Sequence, residues 1–308
     1  MKEKRSLIQL FWLTLLFFFV VNSFLSFRMI QLGKEYKMEM SEYTDILSFK
    51  ERLLNGKEWL LGSWEANARL EKAQSHIDNA LFALEMQNWY SSAFIISALL
   101  FLFIGYLAFI KDAKAPRIRA FTLISVAALC LLNGIFMPML EIGAYNLDLQ
   151  IPIVFEDPFF HNKLDMSKEF SGHMYYYYQN KSVVDLIGML FAQKNFVVGV
   201  AILSFSILLP VLKLSLSLLM LANRNIRHNT GIKWFVSKIG KWSMADVFVA
   251  AAFLSYLSFN NMNSGIETEA HSLPGLYYFL AYCILSIASS LFIEKAIHLE
   301  EAAYRIEE

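Results

Sequence analysis

The sequence predicts an all-α membrane protein with six transmembrane helices and a small extracytoplasmic β-sheet. Three observations carry that reading. The 308 residues are 56% hydrophobic and 15% aromatic, and only 18% are charged, a low charge for a soluble chain of this length. Six apolar runs are long enough, or nearly so, to cross a hydrocarbon core of about 30 Å. Lys and Arg then gather in alternate connections.

The first apolar run, 7–27, follows the basic start Met1-Lys2-Glu3-Lys4-Arg5. At roughly twenty residues, with no Ala-x-Ala site behind it, it reads as a retained anchor rather than a signal peptide. Five more runs cover 91–110, 119–140, 196–222, 243–259 and 275–297. If every run spans, three basic groups fall on one side. These are Lys2, Lys4 and Arg5; Lys111, Lys114, Arg117 and Arg119; and Arg224, Arg227, Lys233, Lys238 and Lys241. The positive-inside rule makes that side cytoplasmic and puts both termini there.

Between the first two spans, residues 34–88 mix charged residues with Leu, Trp and Ala at helical spacing, interrupted by Gly56 and Gly62. They predict two or more helices, either prolonging the spans outward as a hairpin or forming a solvated insertion. Residues 141–195 change pattern. Tyr145–Ile151 and part of 153–155 alternate with period two, and His173-Met174-Tyr175-Tyr176-Tyr177-Tyr178 is aromatic and β-favouring. A small antiparallel sheet is expected there, then a short helix over 182–192. The last outer connection, 260–274, reads as a short polar loop.

Lys213 is the only charge in the fourth span. Counted back from Asn223 at 1.5 Å per residue it lies about 15 Å deep, near the midplane. An ammonium there costs roughly 3 kcal/mol or more without a partner or a wet cavity. Asp246 is the natural partner. With the fifth span starting near Ser243, its depth differs from that of Lys213 by about 10 Å, so a direct pair and a water or hydroxyl bridge are both open. Ser206, Ser215 and Ser217 are candidate hydroxyls. Pro210 frees a carbonyl near Ser206. The pair either forms a hydrated spot that binds a headgroup or couples a proton, or fixes helix registry only.

Trp242 reads as an interface anchor, and 232–240 before it as a basic amphipathic stretch on the inner leaflet. Glu141 is either a solvated loop charge or a gate contact for an amphiphile. Cys130 and Cys283 lie in apolar runs without a CxxC partner and read as small core residues. His161, His173 and His271 are scattered outer-loop histidines without ligand spacing. The net charge of zero leaves no nucleic-acid footprint. No Ser-His-Asp set, Walker sequence or glycine-rich phosphate loop is visible. No enzyme activity, metal or cofactor is therefore expected.

Three stretches resemble the paraquat-inducible protein A family: Asn133-Gly134-Ile135-Phe136-Met137-Pro138-Met139-Leu140-Glu141, then Ser206-Ile207-Leu208-Leu209-Pro210-Val211-Leu212-Lys213-Leu214, and most specifically Lys241-Trp242-Ser243-Met244-Ala245-Asp246-Val247-Phe248-Val249. The resemblance covers about 119–297. It implies one tetraspanin-like four-helix module (119–297) with its extracytoplasmic β-rich loop at 141–195. An N-terminal two-helix extension (1–118) precedes it and a cytoplasmic tail (298–308) follows. It further implies a multi-pass protein of the bacterial inner membrane that assists phospholipid transfer between membranes with an MCE-domain periplasmic partner. The residues expected to carry lipid binding or proton coupling are Lys213, Asp246, Pro210, Ser206 and Ser243. The rival reading is a tetraspanin-like assembly subunit that transports nothing. A membrane redox enzyme is the weakest option, because no paired cysteines or intramembrane histidine pairs are present.

Overall fold

The computed structural model describes residues 2–61, 63–107, 115–152, 154–156, 163–165, 167–223, 231 and 266–307. Two 45-residue helices, α1 (Lys2–Ile46) and α4 (Ser63–Leu107), form an antiparallel hairpin. At 1.5 Å per residue each is about 68 Å long, more than twice a hydrocarbon core. The helices therefore carry the first two apolar runs on as a long hairpin, one of the two alternatives expected for 34–88. The short helices α2 (Phe49–Leu53) and α3 (Gly56–Leu61) close the far end.

Aromatic and polar contacts zip the hairpin. Phe18 stacks on Phe101 with ring centroids 4.2 Å apart. Fully buried Asn22 donates from Nδ2 to Ser97 Oγ at 2.8 Å and to the Phe18 carbonyl at 2.9 Å. Higher up, Gln87 Nε2 donates to the Met29 carbonyl at 3.1 Å. Such bonds satisfy polar side chains where lipid offers no partner. The outward faces expose Leu13, Leu16, Phe17, Val20 and Phe24 on α1, and Ile96, Leu99, Leu100 and Phe103 on α4. Apolar side chains in a continuous outward band are what a lipid-facing surface requires.

At the centre is α5 (Ala115–Phe136), the most enclosed of the membrane-length helices. It packs along its length against the last helix, α9 (Pro274–Glu307). The approach is close because of two glycines. A Cβ on Gly134 would lie 2.8 Å from the backbone of Phe279, and one on Gly275 would lie 2.5 Å from the carbonyls of Met137 and Pro138. Small residues at such contacts let membrane helices touch backbone to backbone. The helix α9 runs on through the stretch expected as a tail, to Glu307.

The fourth span is a continuous helical rod, Phe196–Ala222, in three parts. These are α7 (Phe196–Leu203), a π-turn (Ser204–Leu208) and α8 (Leu209–Ala222). The π-turn stands directly before Pro210, where the Leu209 amide bonds to the Ser204 carbonyl. Proline removes a donor and crowds the preceding turn, and the widened turn absorbs both. Among the described residues five helices are long and apolar enough to cross a membrane. The sixth expected span, 243–259, lies outside them.

A three-stranded antiparallel sheet in the order β4-β1-β5 sits on the end of the bundle where α5 stops and α9 starts. Its strands are β1 (Leu140–Ile151), β4 (Lys168–Lys181) and β5 (Glu267–Ser272); β2 (Val154–Glu156) and β3 (Lys163–Asp165) form a separate two-stranded ribbon. The period-two and aromatic stretches are thus strands, as expected. The polar segment expected as a loop is not one: 267–272 pairs with β1 in register Glu141↔His271 and Leu140↔Ser272. Its hydrophilic sequence suits a strand that lies at the edge of the sheet and buries only Ala270 well. Beyond β4, α6 (Val183–Ala192) starts on a capping box between Ser182 and Asp185, matching the short helix expected there.

The insertion between α1 and α4 is stapled to the sheet. Arg52, 1% exposed, donates to Glu58 from Nε at 2.9 Å and from Nη2 at 2.7 Å. It also reaches the carbonyls of Ser171 and His173 on β4 at 2.9 and 3.0 Å. The Tyr175 amide donates to the Leu47 carbonyl at 3.0 Å.

Candidate functional site: a buried lysine and a buried glutamate

Lys213 lies in α8 with 3% of its surface exposed. Its face of the rod also buries Ser206, Pro210 and Ser217, whereas Ser215 points away and is exposed. The spacing 206, 210, 213, 217 is a helical stripe, so the structure brings four of the residues singled out from the sequence onto one side. Lys213 Nζ donates to the Ser286 carbonyl of α9 at 3.4 Å. That carbonyl also accepts from Ser289 Oγ at 2.9 Å and Ser290 Oγ at 3.0 Å. The lysine therefore meets a serine-rich patch on the last span. Ser286, Ser289 and Ser290 follow the i, i+3, i+4 pattern of one helix face, a signal readable in the sequence but missed there. Among the described residues no carboxylate pairs with Lys213. Asp246, Ser243 and Trp242 lie outside the described residues, as does 232–240.

The second polar locus is Glu141, on β1 just beyond the end of α5. It is not a solvated loop charge, for only 5% of its surface is exposed. Tyr36 Oη, from α1, donates to Glu141 Oε2 at 2.5 Å. Tyr178 on β4 and His271 on β5 stand on its flanks. Burial is the largest influence on the Glu141 carboxyl and holds it above the ordinary glutamate range, against the bond from Tyr36 and the nearby Tyr178 and His271 that favour the anion. Burial likewise raises the Tyr178 phenol, and the neighbouring Glu141 adds to it.

The scattered histidines separate. The His173 ring packs with Tyr145 and Tyr175, while His271 is exposed and lies 3.6 Å from Glu269. His161 is outside the described residues. Cys130 and Cys283 are both buried in the apolar core.

These features define a multi-pass helical membrane protein with an ionisable side chain enclosed at mid-bundle and a small sheet seated on one end. Residues 170–298 match the family model described as Paraquat-inducible protein A. The match runs from β4 to α9. The Pro-x-x-Lys and Trp-Ser-Met-x-Asp stretches fall inside the match, whereas the segment at 133–141 and all of α1, α4 and α5 fall outside it. No curated protein and no solved structure matches the chain.

Proposed function

We propose that the protein assists the movement of phospholipid across a bacterial envelope from the inner membrane, in company with an MCE-domain protein on the periplasmic side. It acts as a carrier or conduit and not as an enzyme. The observation that supports this most strongly is Lys213, enclosed near the middle of a membrane-length helix and hydrogen-bonded to a backbone carbonyl on the neighbouring span. A buried ammonium is costly in lipid, and such residues mark substrate or ion pathways. The site pairs a cation with the hydroxyls of Ser206, Ser217 and Ser286, a donor set suited to a phosphate headgroup. The π-turn before Pro210 supplies the irregular backbone often found where a membrane helix does work. Asp246 belongs to this proposal as the counter-charge, Ser243 as a further hydroxyl and Trp242 as the anchor of its helix at the inner interface.

The competing reading is a structural one, in which Lys213 only pins α8 to α9. Reconstitution separates the two. Proteoliposomes holding the full chain and a fluorescent phospholipid are mixed with a soluble MCE-domain protein, and lipid arrival on that protein is followed. Transfer that falls in Lys213→Met while expression and partner binding hold supports a lipid path. Equal transfer in both proteins, or none in either, rejects it.

A further inference from the structure

A groove of about 900 Å³ runs between α4, α5 and α9, away from the stripe that holds Lys213. On α4 its lining extends from Leu81 through Asn88 and Ser91 to Leu102. On α9 it extends from Pro274 to Leu285. Along α4 the 21 steps from Leu81 to Leu102 cover about 31 Å at 1.5 Å per residue.

The polarity is banded. Asn88, Ser91, His271, Ser272 and Tyr277 form a polar belt at the level where α9 begins. Ser272 Oγ and Tyr277 Oη lie 2.8 Å apart, and Ser91 Oγ and Tyr278 Oη 2.7 Å. Below the belt the lining is Phe94, Ala98, Leu102, Val126 and Leu285, apolar throughout. From Asn88 to Leu102 is about 21 Å, enough to reach past the middle of a 30 Å core. On α4 the lining continues past Asn88 through apolar Leu84, which clusters with Leu273, to Leu81 about 10 Å beyond Asn88. Among the lining residues none is a carboxylate, and His271 is the one imidazole.

We propose that this groove binds a glycerophospholipid of the outer leaflet and lets it rise part way out of the bilayer. The acyl chain lies along α4 and α9, and the phosphate is met by the hydroxyl, amide and imidazole donors of the belt. A depth of one leaflet fits a chain from that leaflet, and the absence of carboxylates suits an anionic headgroup. The apolar lining of α4 beyond Asn88 separates this groove from an ordinary annular contact, since a tail in the annulus has no reason to reach Leu84 and Leu81. One wall, α4, lies outside the family match, which gives the N-terminal extension a task. The inference rests on the reading that the protein handles membrane lipid but not on Lys213.

The test uses the full chain in vesicles of phosphatidylethanolamine and phosphatidylglycerol, with a trace of phosphatidylethanolamine carrying a diazirine in its tail. Cross-linked positions are mapped by mass spectrometry. The wild type is expected to be labelled on α4 from Leu102 up to Leu84 or Leu81, as well as on the lipid-facing residues Phe17 and Phe24. Ala281→Trp, at a half-buried lining position, should cut the groove label about tenfold, equivalent to about 1.4 kcal/mol, and leave the Phe17 and Phe24 label unchanged. Leu99→Trp, on an exposed lining position, repeats the block should the first variant fold poorly. Label confined to positions below Asn88, or undiminished in both folded variants, overturns the proposal. Groove label in Lys213→Met should equal that of the wild type, so failure of the lysine reading leaves this readout intact.

Discussion

Removing Arg52 should unlock the insertion from the sheet, and the size of the effect can be worked from its contacts. Arg52 and Glu58 are each 1% exposed and joined by two bonds, and Arg52 has two more to β4 carbonyls. Breaking a buried pair by removing one partner costs about 3–5 kcal/mol, because the other charge stays buried. Arg69 Nε lies 3.6 Å from the second Glu58 oxygen, so it partly compensates and puts Arg52→Met near the lower end of that range. Glu58→Leu strands the guanidinium in the same way. In the double variant Arg52→Met/Glu58→Leu neither charge of the pair is stranded, and Arg69, which loses Glu58, keeps its 2.9 Å bond to the Ile46 carbonyl. What remains is the lost donor at the Ser171 and His173 carbonyls, on the order of 1–3 kcal/mol. The two substitutions should therefore couple by about 2 kcal/mol or more, with the double variant less damaged than the sum of the singles. Amide hydrogen exchange over 49–61 and 170–176 reads the local opening free energy directly. A coupling below about 0.5 kcal/mol, or a double variant as exchange-labile as the summed singles, would refute the view that this pair is what holds the insertion.

Three further outcomes follow. Glu141, flanked by Tyr36, Tyr178, His271 and Glu269, has a carboxyl raised above its unfolded value. The folded state therefore holds the proton more tightly. The stability it contributes is full below about pH 4.3 and is lost as pH rises through the folded value. Glu141→Gln should flatten that decline in thermal-melt midpoints against pH, and an unchanged profile would remove Glu141 as the cause. Gly275→Ala forces a methyl to within 2.5 Å of the Met137 and Pro138 carbonyls. Overpacking of at least about 1–3 kcal/mol should lower the yield of monodisperse protein, while Gly56→Ala, with open space around it, should not. Asp185→Ala removes the two bonds its carboxylate accepts from the Ser182 amide and hydroxyl and the 2.7 Å bridge to Lys37, while the bond from its own backbone amide to Ser182 Oγ stays. It should cost about 1–2 kcal/mol, and Lys37→Ala, which loses only a half-exposed ion pair, about 0–1 kcal/mol. Thermal melts of the two variants check that order.

Hydropathy made the five membrane-length helices legible because lipid imposes apolar length segment by segment. Lys213 stood out for the same reason, as one charge in an apolar run. The segments that escaped are those whose state depends on a distant partner. The Glu267–Ser272 stretch is polar and becomes a strand because β1 offers it an edge. Glu141 looks like a loop charge until Tyr36 from α1 and Tyr178 from β4 close over it. Arg52 and Glu58 read as ordinary surface charges in a helical insertion, and only the arrival of β4 buries them. The serines of the last span could have been found from their i, i+3, i+4 spacing, but hydropathy averages them away.

Phospholipid retention measured by native mass spectrometry with lipidomics, on gently purified wild type and on Lys213→Met, tests the central claim most directly. The account predicts bound phospholipid on the wild type and a marked loss of it on a folded variant whose groove label is unchanged. Equal lipid on both proteins would contradict it and leave Lys213 as a strut between α8 and α9.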